Sequence, residues 1–315
     1  MSDHRSSVSR TGSTAGAKEP GDGVRLISWN LNGRRRQAHA QVAALVALNP
    51  DVVAVQEVTV GSLPLLRSEL KANGFRHVVD SFDLAPEGFL PRGPRRYGVL
   101  TASRYPLAAE RPGRFPVPWP ERVLSVTLGI TRNPIELHNT HIPPGSSNGW
   151  TKVEMLNGIF SALAVTDAGP RILCGDFNTP QTELSDGEVV TWAQRLNLAS
   201  EWRVARTRAG RPAIDWDLSE RRILTGLKRF DLVDVFRSLN GYSAIEASWF
   251  LKRGTKIVGR RFDHVFASPS LRPRSCQYLH QLRQGGLSDH SGIEVVFDIV
   301  VSLASTRPQR VATIL

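Results

Sequence analysis

A carboxylate and an amide stand two residues apart where a short apolar run ends, in Arg171-Ile-Leu-Cys-Gly-Asp176-Phe-Asn178. On extended backbone, residues i and i+2 point to the same face. Asp176 and Asn178 can therefore project together from the C-terminal edge of a strand, with Gly175 admitting close backbone approach. An acid and an amide so placed suit a tetrahedral anion. The alternative is an Asx turn closing the strand, for which Asp, Asn, Thr179 and Pro180 are ordinary formers. Four more expected strand ends carry similar residues: Ser28-Trp29-Asn30 followed by Asn32, Val55-Gln56-Glu57, Arg261-Phe262-Asp263-His264, and Ser288-Asp289-His290. Singly, each has a structural explanation as a turn residue, a helix-start acid, an ion-pair partner or a structural histidine. Five ends repeating one chemistry make independent coincidence the weaker account.

That chemistry is metal-assisted hydrolysis of a phosphate ester. Mg²⁺ (or Mn²⁺) takes oxygen ligands and often needs only one or two carboxylates plus substrate phosphate. Glu57 is the best candidate for the main ligand, with Asn30 and Asp289 beside it. The His/Cys spacing of a zinc site is missing. His290 can act as a base because an unperturbed imidazole titrates near ~6.5. Asp263 is the expected carboxylate on its other ring nitrogen. Asp176 and Asn178 would orient the attacking water or stabilise charge developing on phosphate.

The elements that must position these residues read as follows. Strands are expected at Val24–Trp29, Asp51–Gln56, Tyr97–Ala102, Arg122–Ile130, Ile135–Thr140, Arg171–Cys174, Ser248–Leu251, Arg261–Ala267, Ser275–Leu279 and Ile293–Val300. Helices are expected at Gln37–Leu48, Ser62–Ala72, Trp150–Val165 and Ser219–Arg229, with Glu201–Leu218 irregular at the surface. No internal period marks a solenoid, and no linker divides the chain after residue 23. The expectation is a disordered tail at 1–22, one catalytic domain at 23–301 with stacked sheets and outer helices, and a short tail at 302–315.

Composition narrows the class. Hydrophobic residues make up 41% of the 315, enough for a substantial core. No apolar run has the ~18 residues of a membrane span, and the N-terminus lacks the apolar segment of a secretory signal. Two cysteines, Cys174 and Cys276, make no disulfide framework. A cytoplasmic, monomeric enzyme is expected. The formal charge of +11 favours polyanionic partners.

The ordered set Ser-Trp-Asn30-Leu-Asn32-Gly, Val-Gln-Glu57, Asn-Thr-His141-Ile-Pro, Gly-Asp176-Phe-Asn178, Arg-Phe-Asp263 and Ser-Asp289-His290 resembles the endonuclease/exonuclease/phosphatase superfamily, most closely its exonuclease III and apurinic/apyrimidinic (AP) endonuclease branch. The likeness runs from about Arg25 to Phe297. It implies an α/β four-layer sandwich with the site at the top of two facing mixed sheets, a divalent cation, and a single in-line attack by water. It places Asn30, Glu57 and Asp289 around the metal, pairs Asp263 with His290, and sets Asp176 and Asn178 beside water and phosphate.

The departures concern substrate. His141 stands where the exonuclease III branch usually has a tyrosine; as an imidazolium it could donate to phosphate or protonate the leaving oxygen. Pro144 replaces a phosphate-binding asparagine, Val58-Thr59 replaces a Thr-Lys, and Arg260 falls where an abasic pocket has a tryptophan. Trp249 and Phe262 keep some aromatic wall. Arg34, Arg35 and Arg36, then Arg92, Arg95 and Arg96, then Lys252, Arg253, Lys256, Arg260 and Arg261 form three basic clusters beside site segments, suiting a phosphate backbone track. Trp202, Trp216 and Trp249 could stack on bases or serve as anchors. The expected substrate is nucleic acid, DNA foremost. A phospholipid head group, inositol phosphate or nucleotide is the second reading, and a non-catalytic basic binding module the third.

Overall fold

The computed structural model describes residues 23–299 apart from 87, 111–112 and 167; the expected tails at 1–22 and 302–315 lie outside the described residues. Strands β1 (Val24–Asn30) and β2 (Val52–Val58) run parallel, with Leu26 opposite Val52 and Asn30 opposite Gln56. Both are nearly continuous buried runs, as strands covered on two faces must be. With β3 (His77–Asp80), β4 (Gly98–Ser103) and the strands Pro273–Leu279 and Gly292–Phe297, they form one six-stranded sheet. The second sheet holds β5 (Leu107–Ala109), β6 (Val123–Leu128), β7 (Ile135–His141) and β8 (Arg171–Asp176), with Asp263–Ala267 and Val233–Asp234 on the far side of β8. Only β7 and β8 are parallel there.

The sheets face each other across a core that includes Leu26, Val126, Leu137, Cys174, Val265 and Val295. Cys174 is the small buried hydrophobe its apolar setting implied; burial pushes its thiol up to about 12. Helices Ala38–Ala47 and Leu63–Ala72 cover the first sheet, setting Val42, Leu45, Leu66 and Leu70 against Ile27, Trp29 and Val55. Helix Thr151–Leu163 covers the second, setting Met155, Leu156 and Ile159 against Leu173, Phe177 and Phe266. The layers run helix, sheet, sheet, helix, as expected. Each such side chain, fully buried, stabilises the fold by roughly 1.5–3 kcal/mol.

The sequence reading fails between the sheets' main strands. Within Glu201–Leu218, read as irregular, Ala213–Arg221 is a helix beginning directly after Pro212. Its charged sequence hides the reason: Ala213 and Trp216 are fully buried against Val153 and Ala193. The expected helix over Ser219–Arg229 is its continuation, through a π-helical turn at Arg222–Gly226 and a 3₁₀ turn at Leu227–Phe230. The strand Lys256–Arg260 was also not foreseen. It pairs with Trp249–Arg253 as a hairpin turned at Gly254, where φ is +60°. Lys256-Ile-Val-Gly-Arg260 is exposed to half-buried and sets its two apolar residues side by side, which gives no apolar alternation to read. Among the described residues, no helix is long and apolar enough to cross a membrane.

Candidate active site

Strand direction gathers the site. Asn30 ends β1, Glu57 nearly ends the parallel β2, and His141 and Asp176 sit opposite each other at the ends of the parallel pair β7 and β8. Asp263 opens the antiparallel neighbour of β8, opposite Asp176. His290 lies just before Gly292–Phe297, the antiparallel neighbour of β1. Antiparallel strands begin where their neighbours end, so all six arrive at one edge.

Local backbone then aims the side chains. The β2–β4 register shifts between Val55 and Val58, a bulge that turns Glu57 out of the ladder. Asn32, Glu57 and Asn178 have φ of 56°, 55° and 52°, left-handed values uncommon outside glycine. Such strain persists where the surroundings over-determine it, and it clusters at functional sites. Gly175 is required: at its φ of +141°, a Cβ would stand 1.8 Å from the Thr140 carbonyl oxygen.

Hydrogen bonds tie the residues together. Asn30 Nδ2 donates to Glu57 Oε1 at 3.1 Å and to Asp176 Oδ2 at 2.9 Å, while its Oδ1 accepts from the Asn32 N–H at 2.8 Å. Its amino group, not its carbonyl, thus faces the carboxylates. Asn178 donates from its backbone N–H to Asp176 Oδ1 at 2.9 Å and from Nδ2 to Oδ2 at 3.1 Å. The Asx turn and the paired acid and amide are therefore one arrangement; a left-handed turn after the strand, not extended alternation, brings Asn178 alongside. His290 Nδ1 lies 2.8 Å from Asp263 Oδ2, and its Nε2 is 3.9 Å from Asp176 Oδ2. Ser288 Oγ donates to the Asn30 carbonyl at 2.6 Å and Trp29 Nε1 to the His290 carbonyl at 3.0 Å, locking this loop to β1. Beneath, Gln56 donates to Asn139 Oδ1 at 2.8 Å across the two sheets. Asp289 is exposed and accepts from Trp249 Nε1 at 3.1 Å.

Carboxylates dominate the electrostatics. Burial raises the Glu57 carboxyl above its usual range and pushes Asp176 up to about 7. Burial alone would lower His290, but Asp263 and Asp176 outweigh it and raise the imidazole to about 10. His141 is held well below its usual range by burial and then by Arg122, whose Nη1 donates to Nδ1 at 2.7 Å. The resting ring is thus neutral, not the imidazolium weighed from sequence. Buried Arg122, cradled by Trp119 and Tyr97, was missed because it merely begins a strand in the sequence.

A cleft of about 590 Å³ opens over this cluster, lined by Glu57, Asp176, Asn178, Trp249, Phe262, Asp289 and His290, and also by Trp192, Arg195 and Arg208, which sequence reasoning did not single out. Arg34, Arg35 and Arg96 are not among its lining residues: Arg34 donates to the Gly286 carbonyl and Arg96 to the Tyr97 hydroxyl. Arg260 lies over the Trp192 ring. Two members of the basic clusters are committed elsewhere. Arg95 binds Glu121, and buried Arg261 binds Glu183 and Asp234. Trp216 is a buried anchor.

The donor set fits a divalent cation. Glu57, His141 and Asp176 offer ligand atoms within 4.8 Å of one another, as do Asp176, Asp263 and His290. Asp263 Oδ1 is buried without a hydrogen-bond partner, an acceptor left open beside His290.

Comparison with known proteins agrees with this fold. Exodeoxyribonuclease III of Haemophilus influenzae is 25% identical over 264 residues, covering 80% of this chain and 90% of that protein. An AP endonuclease from Archaeoglobus fulgidus superposes with a TM-score of 0.62 at 19% identity, covering 88% of this chain and all (100%) of its own. A variant of the Neisseria 3′ phosphatase NExo, bound to a product DNA hairpin, gives 0.60 at 20% identity with the same 88% and 100% coverage. Residues 27–290, most of the chain, match the endonuclease/exonuclease/phosphatase family, and the chain belongs to that family of phosphoester hydrolases.

Proposed function

We propose that the protein is a Mg²⁺- or Mn²⁺-dependent phosphodiesterase acting on nucleic acid, DNA foremost, as a repair-type endonuclease or exonuclease. The observation that carries this reading is the convergence of the Asp263–His290 pair, the Asp176–Asn178 pair and Glu57 beneath one cleft. The DNA hairpin in the Neisseria relative and the exodeoxyribonuclease likeness support the substrate class.

Glu57 would hold the cation, with Asp289 on the same cleft lining as a further carboxylate and Asn30 fixing Glu57 through its amino group. An oxygen-rich donor set favours Mg²⁺. When bound, the cation supplies Lewis-acid polarisation of a phosphoryl oxygen and offsets the carboxylate charge that otherwise keeps His290 protonated. Asp263 holds His290 by Nδ1, leaving Nε2 to take the proton of the attacking water. Asp176 and Asn178 orient that water and the phosphate. A new P–O bond forms to water as the bond to the leaving oxygen breaks, and that oxygen leaves with the bonding pair. Arg122 donates to His141 Nδ1, so the neutral ring would carry its proton on Nε2 and donate from there to a phosphate oxygen.

The second reading keeps this chemistry on a phospholipid head group, inositol phosphate or nucleotide. His141 with Arg122 and the Pro144 lining of the cleft favour it. A cleavage panel of abasic duplex, nicked duplex, single-stranded DNA, RNA and phospholipid separates the two. Turnover of DNA that disappears in Glu57→Ala is expected. Turnover of lipid or small phosphoester alone, with every nucleic acid untouched, rejects the first reading.

A further inference from the structure

We infer that the cleft beside the carboxylates is a binding site for an intact nucleobase, and that Trp192 is the residue that selects it. The inference rests on the nuclease reading above and names its substrate more closely: a nucleotide that keeps its base, in preference to a base-less sugar. At about 590 Å³ the cleft lies within the usual size range of sites for ring-bearing ligands. A bare deoxyribose would leave most of it empty. Its walls suit a planar ring. Trp249 stacks on Phe262 with centroids 5.3 Å apart, and Trp192 leans on Phe262 from another side at 6.3 Å. Arg195 and Arg208, which both donate to the Trp192 carbonyl, add positive charge to the lining beside that wall.

Trp192 is unusually fixed for a half-buried tryptophan. Its backbone N–H donates to Glu220 Oε2 at 2.9 Å, and its indole Nε1 donates to the Asn178 carbonyl at 3.0 Å. The same carbonyl accepts from Lys152 Nζ at 2.9 Å, and Lys152 is 2.5 Å from Glu220 Oε1. Lys152 and Glu220 are fully buried. A buried ion pair contributes little net stability, so its cost needs another explanation. Here it locks the Trp192 wall to Asn178, beside the reacting phosphate. Lys152 and Glu220 are positioning residues for that wall.

The test compares two duplexes identical except that the nucleotide at the cleavage position carries adenine or a base-less sugar. Wild type is expected to cleave the base-bearing strand with the higher kcat/KM. Trp192→Ala should lower that preference about tenfold, the weight of one base stack, and Trp192→Phe should restore most of it. Glu220→Gln should shift the preference the same way, which loss of fold stability alone would not do. As a measurement free of variants, deoxyadenosine monophosphate should quench wild-type tryptophan fluorescence saturably at concentrations where ribose 5-phosphate does not. A preference for the base-less strand, a ratio unmoved by Trp192→Ala, or equal response to both monophosphates overturns the inference while leaving the nuclease reading intact. No cleavage of either strand by wild type overturns that reading as well.

Discussion

His290 and Asp263 join the two sheets at their common edge. Nδ1 of the histidine, from the loop before Gly292–Phe297, lies 2.8 Å from a carboxylate oxygen of Asp263, the first residue of its strand in the opposite sheet. The contact forms only when the sandwich is assembled. It holds Nδ1 and leaves Nε2 facing Asp176.

Replacing Asp263 by Asn should therefore affect rate far more than folding. The amide can still hold the ring but can present a donor to Nδ1, which favours the wrong tautomer. A fall in kcat of about 10²–10⁴-fold is expected, with circular dichroism unchanged. Near-wild-type kcat would refute the role given to the pair.

In metal-free protein, His290 should remain protonated well above neutral pH, because burial lowers its affinity for the proton less than Asp263 and Asp176 raise it, to about 10. A raised folded value means stability that is fully present below the unfolded value of ~6.5 and lost as pH rises toward 10. Imidazole ¹⁵N shifts should show this titration, and adding Mg²⁺ should move its midpoint down. A midpoint near 6.5 without metal would contradict the charge balance described above.

Chelation should stop turnover without unfolding the protein. Excess EDTA is expected to abolish cleavage of the preferred substrate, and Mg²⁺ or Mn²⁺ to restore it. Glu57→Ala and His290→Ala should each remain inactive at saturating metal while retaining the wild-type circular dichroism spectrum. Full activity in EDTA would exclude the proposed mechanism.

Away from the site, Glu183 should set part of the acid limit of stability. Burial pushes its carboxyl up, but Arg261 and Arg237 outweigh this and hold it at about 2. A depressed folded value means stability present above the unfolded value of ~4.3 and lost as pH falls through the folded one. Glu183→Gln should cost about 3–5 kcal/mol at neutral pH, since it leaves buried arginine charge unpaired. It should also flatten the loss between pH ~4.3 and 2 in denaturant melts.

Gly175→Ala should damage fold and site together. The added methyl would stand 1.8 Å from the Thr140 carbonyl oxygen, at a φ that L residues rarely adopt. Loss of about 3–5 kcal/mol is expected, with activity falling further than the melt explains because Asp176 is the next residue. A variant as stable and active as wild type would show that β7 and β8 can separate at no cost.

The site was legible in the sequence to the extent that its residues sit at strand ends. Asn30, Glu57, Asp176, Asp263 and His290 each interrupt or border an apolar run, and that local contrast survives without any knowledge of contacts. The two sheets were legible for the same reason, since buried strands write continuous apolar runs. What lay beyond the sequence depended on partners distant in the chain. Arg261 reads as one of a cluster of surface cations, yet Glu183 and Asp234 bury it. Arg122 reads as the start of a strand, yet it controls His141. Trp192 lies in a stretch with no recognised pattern, and only the helix Ala213–Arg221, itself held by a buried tryptophan, brings Glu220 to fix it. Residue type and local alternation determined the reaction class. Which side chains share a dielectric, a carbonyl or a cleft was decided by tertiary packing alone, because those interactions act through space between segments the sequence keeps apart.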